Sequence, residues 1–356
     1  MKKVFPFLVT LMAIGFWSVS PLNAQTVTTT FPVGSAPYYV VVNETTNTIY
    51  VVNYNDDTVS VINGATDSVT TTLAVGDGPY DPGVNALTNM IYVPNFNDNT
   101  VSVINGATNS VTAVAVGSCP WVVRVNALTN MIYVVNYNGD TVTVINGATN
   151  LVTATVNVGD GPNEIGVNAM TNKIYVPSYN DDTVTVINGA TNLVTDSVTV
   201  GDGPWFAGVN VTTNKIYVVN ESDGTVSVID GVSDTVTTNI NTGSSPYVAG
   251  INATTNKIYV PNYNDGTVSV INGATDTVTD ILTVGSLPNG AGVNTTTNKI
   301  YVPNESDGTV SVIYDPHSAG PAASIPTLNE WGMIIFSLLM IGVGYISIRR
   351  RESASV

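Results

Sequence analysis

The sequence predicts an all-β fold built from seven similar four-stranded antiparallel sheets, and two observations support it. A phrase such as DTVSVINGAT, which begins at Asp57, returns in close copies along the chain. The repeating units open at Val33, Val75, Val116, Val158, Val200, Thr242 and Val284, in steps of 42, 41, 42, 42, 42 and 42 residues. A period of about 40–45 residues with several short strands is typical of propeller blades. We therefore expect a seven-bladed β-propeller over residues 25–315.

Each unit reads as four short strands separated by turns. In the second unit these are Gly83–Asn85, IYVPN from Ile91, TVSVI from Thr100 and SVTAVAV from Ser110. The third of them alternates valine with threonine or serine, as a strand does. The Asn-Gly pair of NGAT fits a tight turn that needs a positive φ. No stretch of the unit has helical periodicity.

Ring closure requires a fourth strand for the last unit. That unit stops after TVSVIYD at Asp315, whereas the segment TVTTTFPVG from Thr26 matches SVTTTLAVG from Ser68. We expect residues 26–32 to complete the last blade and join the two ends of the ring by main-chain hydrogen bonds.

The two ends of the chain predict export. Residues 1–24 carry Lys2 and Lys3, an apolar stretch and a terminal Ala24, as a signal peptide does. An uncleaved anchor is the alternative. After a linker over residues 316–324, residues 331–348 form an uncharged apolar run long enough for a transmembrane helix. The basic tail Arg349–Arg351 predicts a cytoplasmic C-terminus, so the body lies outside the cytoplasm.

The segment 325–356 resembles a known class of sorting signal. It contains Ile325, Pro326, Thr327 and Leu328, then Trp331 and Gly332, the apolar span and the arginine cluster. This order is similar to the IPTL-type C-terminal sorting signal, a relative of the signals handled by exosortases. The resemblance implies a bacterial envelope protein that is processed by an exosortase-type enzyme, besides signal peptidase. A plain single-span anchor is the alternative.

The repeated units also resemble a family. IYVVN occurs at Ile49, Ile132 and Ile216, IYVPN at Ile91, Ile258 and Ile300, and IYVPS at Ile174. These units are similar to the YVTN-type β-propeller repeat of bacterial and archaeal surface proteins. The resemblance implies a seven-bladed ring used for display or binding, and no single common activity.

Composition restricts the partners. Residues 25–324 contain 24 acidic and five basic residues, a net charge near −19. Such a body repels nucleic acid and favours cations or basic partners. Cys119 is the only cysteine, so no internal disulfide forms. We expect a monomer.

Two candidate sites lie on the rim of the ring. The residue after the proline of each unit begins the innermost strand, beside the mouth of the channel: Tyr38, Tyr80, Trp121, Asn163, Trp205, Tyr247 and Asn289. Aromatic faces with amide groups suit a sugar or another small polar ligand. Alternatively, these rings pack between blades. The Asn/Asp-rich turns of the same rim offer oxygen ligands for calcium, although they lack an EF-hand pattern and form without an ion.

Arg124 stands where the other units have glycine or valine. A buried guanidinium needs partners, and Asp81 and Glu164 occupy nearby positions of the adjacent blades. We expect a structural ion cluster in preference to a catalytic one.

The sequence argues against an enzyme. The only histidine, His317, lies in the linker, which excludes a histidine-activated nucleophile or a histidine metal site within the ring. We expect an exported, non-catalytic binding scaffold for a glycan or a protein, without a cofactor. A purely structural envelope component and a lactonase-like or carboxylate-based hydrolase are the alternatives.

Overall fold

The computed structural model describes residues 30–315. The chain divides into two compact units, Met1–Pro32 and Val33–Val356, and every described strand lies in the second. The predicted signal peptide (1–24), linker (316–324), sorting segment (325–356) and transmembrane helix (331–348) lie outside the described residues. Within residues 30–315, no helix is long and apolar enough to cross a membrane.

Each sequence unit forms one antiparallel sheet, whose strands neighbour each other in chain order. The first strands are β1 (Pro37–Asn43), β5 (Gly83–Asn85), β9 (Pro120–Asn126), β13 (Gly166–Asn168), β17 (Pro204–Asn210), β21 (Gly250–Asn252) and β25 (Gly292–Asn294). The second strands are β2 (Thr48–Asn53), β6 (Met90–Asn95), β10 (Met131–Asn136), β14 (Lys173–Ser178), β18 (Lys215–Asn220), β22 (Lys257–Asn262) and β26 (Lys299–Asn304).

The third strands are β3 (Thr58–Asn63), β7 (Thr100–Asn105), β11 (Thr141–Asn146), β15 (Thr183–Asn188), β19 (Thr225–Asp230), β23 (Thr267–Asn272) and β27 (Thr309–Tyr314). The fourth strands are β4 (Ser68–Ala74), β8 (Val111–Ala115), β12 (Leu151–Asn157), β16 (Leu193–Thr199), β20 (Thr235–Asn241) and β24 (Thr277–Thr283). A single 3₁₀ turn, Tyr137–Gly139, interrupts this pattern within the described residues. The predicted all-β, seven-bladed β-propeller is confirmed.

The middle strands are buried on both faces because each blade is covered by a neighbour. In β7, Val101 and Val103 are buried, and so is Ser102 on the opposite face. Ser102 tolerates burial because the Asn95 amide donates a hydrogen bond to its hydroxyl at 3.0 Å. The repeated asparagine at the end of the second strand therefore satisfies the polar groups inside the blade.

The prediction of a positive φ at the Asn-Gly pair is wrong. In the first blade the four-residue turn Gly64–Asp67 follows β3, and the positive φ, 51°, falls on Asp67. The side chain of Asn63 instead accepts the N–H groups of Ala65 and Thr66 at 2.8 and 3.2 Å. Gly64 is required because a Cβ there would lie 2.4 Å from Oδ1 of Asn47. Close approach, and not a left-handed backbone, explains this glycine.

Hydrophobic clusters hold neighbouring blades together. Six of them each join two consecutive blades, from the first pair to the pair formed by blades 6 and 7. The tyrosine of the second strand is a principal member, and Tyr50, Tyr92, Tyr133, Tyr175, Tyr217 and Tyr259 are almost fully buried. Burial of these rings supplies much of the apolar area that stabilises the stack.

Polar contacts at the opposite rim from the candidate mouth reinforce some interfaces. Between blades 4 and 5, the Lys173 ammonium lies 2.7 Å from Oδ2 of Asp234. The other oxygen of this carboxylate, Oδ1, accepts a hydrogen bond from the Tyr175 hydroxyl at 3.0 Å. Between blades 5 and 6, Lys215 and Tyr217 contact Asp276 in the same way. These ion pairs are only partly exposed, so solvent screens them incompletely.

The junction of blades 7 and 1 differs from the other interfaces. No hydrophobic cluster of the described residues joins these two blades. On β1, Tyr38 is 61% and Val40 58% exposed; on β27, Val310 is 58% and Tyr314 64% exposed. Blade 7 has three strands within the described residues.

The closing strand was expected over residues 26–32. Residues 30–32, the part of it that the structure describes, do not belong to a strand. Pro32 has no N–H to donate to a ladder, which is one physical reason why residues 30–32 form no strand. Residues 26–29 of the predicted strand lie outside the described residues.

Candidate functional site

The first rim is organised by aspartates that accept backbone N–H groups. The Asp98 carboxylate accepts the N–H of Asp77 at 2.8 Å, and Asp57 accepts the N–H of Gly78 in the next blade at 2.9 Å. The same pattern links Asp223 to the N–H of Asp202 at 2.7 Å. These carboxylates hold the loop before the first strand against the turn between the second and third strands.

This use of the aspartates bears on the calcium hypothesis. The carboxylate oxygens that fix backbone N–H groups are already engaged without an ion. Within residues 30–315, no group of three or more His, Cys, Asp or Glu side chains could hold a metal ion. A calcium ion that used the same oxygens would have to displace these hydrogen bonds.

Aromatic side chains form a connected arc around the channel mouth. The ring of Tyr80 stacks on that of Trp121, with centroids 4.7 Å apart and an interplanar angle of 21°. Tyr38 lies 5.1 Å from Tyr80, and Trp205 lies 5.2 Å from Tyr247. These rings therefore contact one another, yet each retains an exposed portion. Together they line a depression of about 740 Å³ at the mouth.

The two predicted asparagines lie in different environments. Asn289 lines the depression. Asn163 is 1% exposed and does not line the depression. Its side-chain amide has no hydrogen-bond partner among the described residues. The indoles of Trp121 and Trp205 approach to 6.1 Å from blades 3 and 5, on either side of the blade that carries Asn163. Larger neighbouring rings thus fill the rim position that this short side chain leaves.

The mouth also contains a second circle of rim residues, which was not predicted from the sequence. It comprises the residue that follows the second strand of each blade: Tyr54, Phe96, Tyr137, Tyr179, Glu221, Tyr263 and Glu305. The rings of this circle contact those of the first, for example Tyr137 with Trp121 at 5.6 Å and Tyr263 with Tyr247 at 5.8 Å. Alignment of the units at this position would have revealed the aromatic set and its two glutamates.

Arg124 lies beside the depression and contacts both expected carboxylates. Its Nη2 donates to Oδ2 of Asp81 at 2.7 Å and to Oε1 of Glu164, while Nη1 donates to the Val123 carbonyl at 2.9 Å. Asp81, Arg124 and Glu164 come from three consecutive blades. Arg124 lies in β9, whereas Asp81 and Glu164 lie two residues before β5 and β13, so the cluster links the innermost segments of these blades. Glu164 also lines the depression.

Burial perturbs this cluster. Burial raises the pKa of Glu164, and the nearby charge of Asp81 adds to the rise, although Arg124 opposes it. Burial by itself would lower the pKa of Arg124, but the two carboxylates outweigh it and the pKa is raised. A guanidinium bonded to two carboxylates is a poor acid or base, so these contacts favour the structural role expected from the sequence, which stays a prediction.

Comparisons with known proteins address the tail and the fold separately. Residues 323–351 match the family model of the IPTL-CTERM motif. The chain carries this motif at its C-terminus. The IPTL-CTERM motif implies processing by a sorting enzyme of the exosortase type, and an exported, envelope-associated protein. Its residues Ile325, Pro326, Thr327, Leu328, Trp331 and Gly332 lie outside the described residues.

A chain of hydrazine synthase from Kuenenia stuttgartiensis has a similar structure. The match has a TM-score of 0.65 and covers 84% of this chain and 100% of that chain, at 15% identity. At this identity the likeness supports the propeller fold alone. No curated protein matches the chain in a sequence comparison. The observed propeller fold is compatible with the YVTN repeat type that the sequence resembles.

Proposed function

We propose that the protein is an exported, non-catalytic propeller that binds a glycan at the mouth of its channel. The observation that supports this proposal most directly is the arc of partly exposed rings from Tyr80 through Trp121 to Trp205 and Tyr247. Flat apolar ring faces in a concave site pack well against the C–H faces of sugar rings, while nearby amide and carboxyl groups bond the hydroxyls.

The ends of the chain would place this site outside the cytoplasm. In this proposal, signal peptidase removes residues 1–24, and a helix over residues 331–348 holds the protein in the membrane with Arg349–Arg351 in the cytoplasm. The exosortase-type enzyme then acts at the IPTL-CTERM motif and transfers the propeller to the cell surface or matrix. Residues 316–324 serve as the spacer.

A glycan array probed with the full chain tests the binding function. We expect a restricted set of glycans to bind and Trp205→Ala to weaken their binding at least tenfold, because the variant removes one face of the mouth. Trp121→Ala should act similarly. Leu128→Ala, which alters an exposed side chain on the opposite rim, is the matched control and should bind as the parent does.

Other outcomes identify the alternatives. Equal binding by the parent and both tryptophan variants would show that the mouth is not the site. A blank array together with capture of a defined protein partner would favour protein recognition. An array without binding and no partner would favour a purely structural component. Turnover of a lactone or glycoside by the full chain would contradict the non-catalytic assignment.

We also propose that the ring closes directly between blades 7 and 1. The sequence has the same two residue types at this junction, a lysine and an aspartate, as at the ion-paired interfaces. Lys299 occupies the position of Lys173 and Lys215, and Asp67 of blade 1 occupies the position of Asp234 and Asp276. Lys299 has no ion-pair partner among the described residues. Closure would bring its ammonium to the Asp67 carboxylate.

A double-mutant cycle tests the closure. Lys299→Met and Asp67→Asn should each destabilise the folded chain, and the double variant should lose less than the sum, with a coupling of about 1 kcal/mol in urea unfolding. Lys257→Met with Asp67→Asn is the control pair and should be additive, because Lys257 already pairs with Asp315. Additive losses for Lys299 and Asp67 would contradict closure through this pair.

A further inference from the structure

The channel mouth is negatively charged as well as aromatic. Among the residues that line the depression, Glu164, Glu221 and Glu305 are acidic and none is basic. The nearest basic side chain within the described residues, Arg124, is already bonded to two carboxylates, Asp81 and Glu164. A ligand entering this site therefore meets an excess of negative charge.

The two rim glutamates are held in place by tyrosines. The Tyr179 hydroxyl donates to Oε2 of Glu221 at 2.7 Å, and the Tyr263 hydroxyl donates to Oε2 of Glu305 at 3.2 Å. The other carboxylate oxygen of each glutamate accepts no hydrogen bond from the residues that the structure describes. Each glutamate thus presents an oriented acceptor at the edge of the mouth.

The aromatic rings add to the preference for positive charge. The face of an aromatic ring carries partial negative charge, and cations lie favourably over tryptophan and tyrosine. Trp205 packs edge-to-face against Tyr179, which holds Glu221, and lies 5.2 Å from Tyr247. Burial, and then the charge of Glu221, raises the pKa of Tyr247 to about 12. Burial disfavours charge of either sign, but the negative charge of Glu221, which also disfavours a phenolate, favours a bound cation.

The two properties of the mouth fit one class of glycan. A neutral sugar would pack on the rings but take the carboxylates out of water without a charged partner, and an acidic sugar would be repelled. We propose that the mouth selects sugars with free, protonated amino groups, whose ring faces pack on the indoles while an ammonium group pairs with Glu221 or Glu305. This inference rests on the proposed glycan-binding function and narrows it to amino sugars.

Titration calorimetry of the full chain with two matched oligosaccharides tests the proposal. A glucosamine tetramer and its N-acetylated counterpart have the same backbone, and only the first is cationic. At about pH 6, well above the ordinary glutamate pKa of about 4.3, we expect the amine form to bind at least tenfold more tightly. Rising salt should weaken its binding and reduce this ratio.

Glutamate variants locate the selectivity. The double variant Glu221→Gln and Glu305→Gln should bring the ratio between the two tetramers close to one. Glu44→Gln removes one negative charge from an exposed loop of the opposite rim and should leave the ratio unchanged. Thermal unfolding of each variant shows whether it is folded.

Each outcome decides between the two proposals. Equal binding of both tetramers would overturn selection for amines while leaving glycan binding intact. Binding of neither tetramer, together with a blank glycan array, would remove the proposed function itself. Binding of choline as tightly as the amine tetramer would show that an ammonium group alone is recognised, which also overturns the amino-sugar proposal. A double glutamine variant that keeps the tenfold ratio would do the same.

Discussion

The first half of the ring (blades 1 to 3) and the second half (blades 4 to 6) each bury an equivalent tyrosine between blades, but its polar partners differ. In blades 4 and 5 the strand that carries the tyrosine begins with Lys173 or Lys215, and the next blade offers Asp234 or Asp276. In blades 1 to 3 the corresponding positions hold Thr48, Met90 and Met131, and the next blade offers Asn109, Asn150 or Asn192. The two positions change together, although they lie about 60 residues apart in the chain.

The difference shows which part of the interface is essential to the fold. Tyr50 and Tyr133 are fully buried although their hydroxyls have no hydrogen-bond partner among the described residues. Tyr175 and Tyr217 are equally buried and donate to an aspartate at 3.0 and 3.2 Å. Apolar packing of the ring is common to both halves, so it holds the blades together. The lysine–aspartate pair beside the tyrosine is an addition that these interfaces of the first half lack.

Transplanting the ion pair should give the largest effect. Asn192→Asp places a carboxylate beside Tyr133 and Met131 without a cation, and should lower the free energy of unfolding by about 2 kcal/mol. Adding Met131→Lys should restore most of this loss, with a coupling of about 1–2 kcal/mol in urea unfolding. Asparagine and aspartate both tolerate the positive φ of 57° at position 192, so the backbone is unchanged. Additive losses in the double variant would show that the two positions are not paired.

Acid should affect the second half more than the first. Asp315 is almost fully buried and accepts hydrogen bonds from Asn252 at 2.9 Å, Lys257 at 2.8 Å and Thr255. Burial alone would raise its pKa, but the hydrogen bonds from Lys257, Thr255 and Tyr259 outweigh burial, so the pKa lies below the ordinary 3.8. Its stabilisation is therefore present above the unfolded pKa and lost as the pH falls through the folded pKa.

Urea unfolding at about pH 7 and about pH 3 measures this contribution. Asp315→Asn should cost about 2 kcal/mol at the higher pH and clearly less at the lower one. The comparison must be made against the parent chain because Glu164 acts in the opposite direction. Its raised pKa gives stability that is present below the unfolded pKa and lost as the pH rises through the folded one. A cost that is the same at both pH values would mean that the Asp315 charge does not matter.

The sequence predicts the repeated part of the molecule well because the same pattern of strands and turns recurs in every unit. The first strand of the second blade was expected at Gly83–Asn85 and is found there. Alignment of the units likewise predicts Arg124 beside Asp81 and Glu164, and the structure shows both contacts. Contacts that recur at a fixed offset follow from the period alone.

Features that depend on the local path of the chain could not be predicted in this way. The Asn-Gly pair suggested a positive φ, but the turn is four residues long and places it at Asp67. The glutamates of the mouth were not predicted because Glu221 and Glu305 replace aromatic residues and so depart from the repeat. Asn163 was assigned to the mouth by its position, whereas the rings of blades 3 and 5 meet across its blade. Such departures depend on neighbouring side chains, which a period does not contain.

Removing single hydroxyl groups provides the smallest and most direct test of the two halves. Tyr217→Phe deletes the hydrogen bond to Asp276 and should cost about 1 kcal/mol in urea unfolding. Tyr133→Phe removes a buried hydroxyl that has no partner among the described residues, so it should be neutral or stabilising. The two variants lose the same atom from equally buried rings, which makes each the control for the other. Equal losses would mean that Tyr133 also has a partner, such as a buried water, and that the two halves differ only in charge.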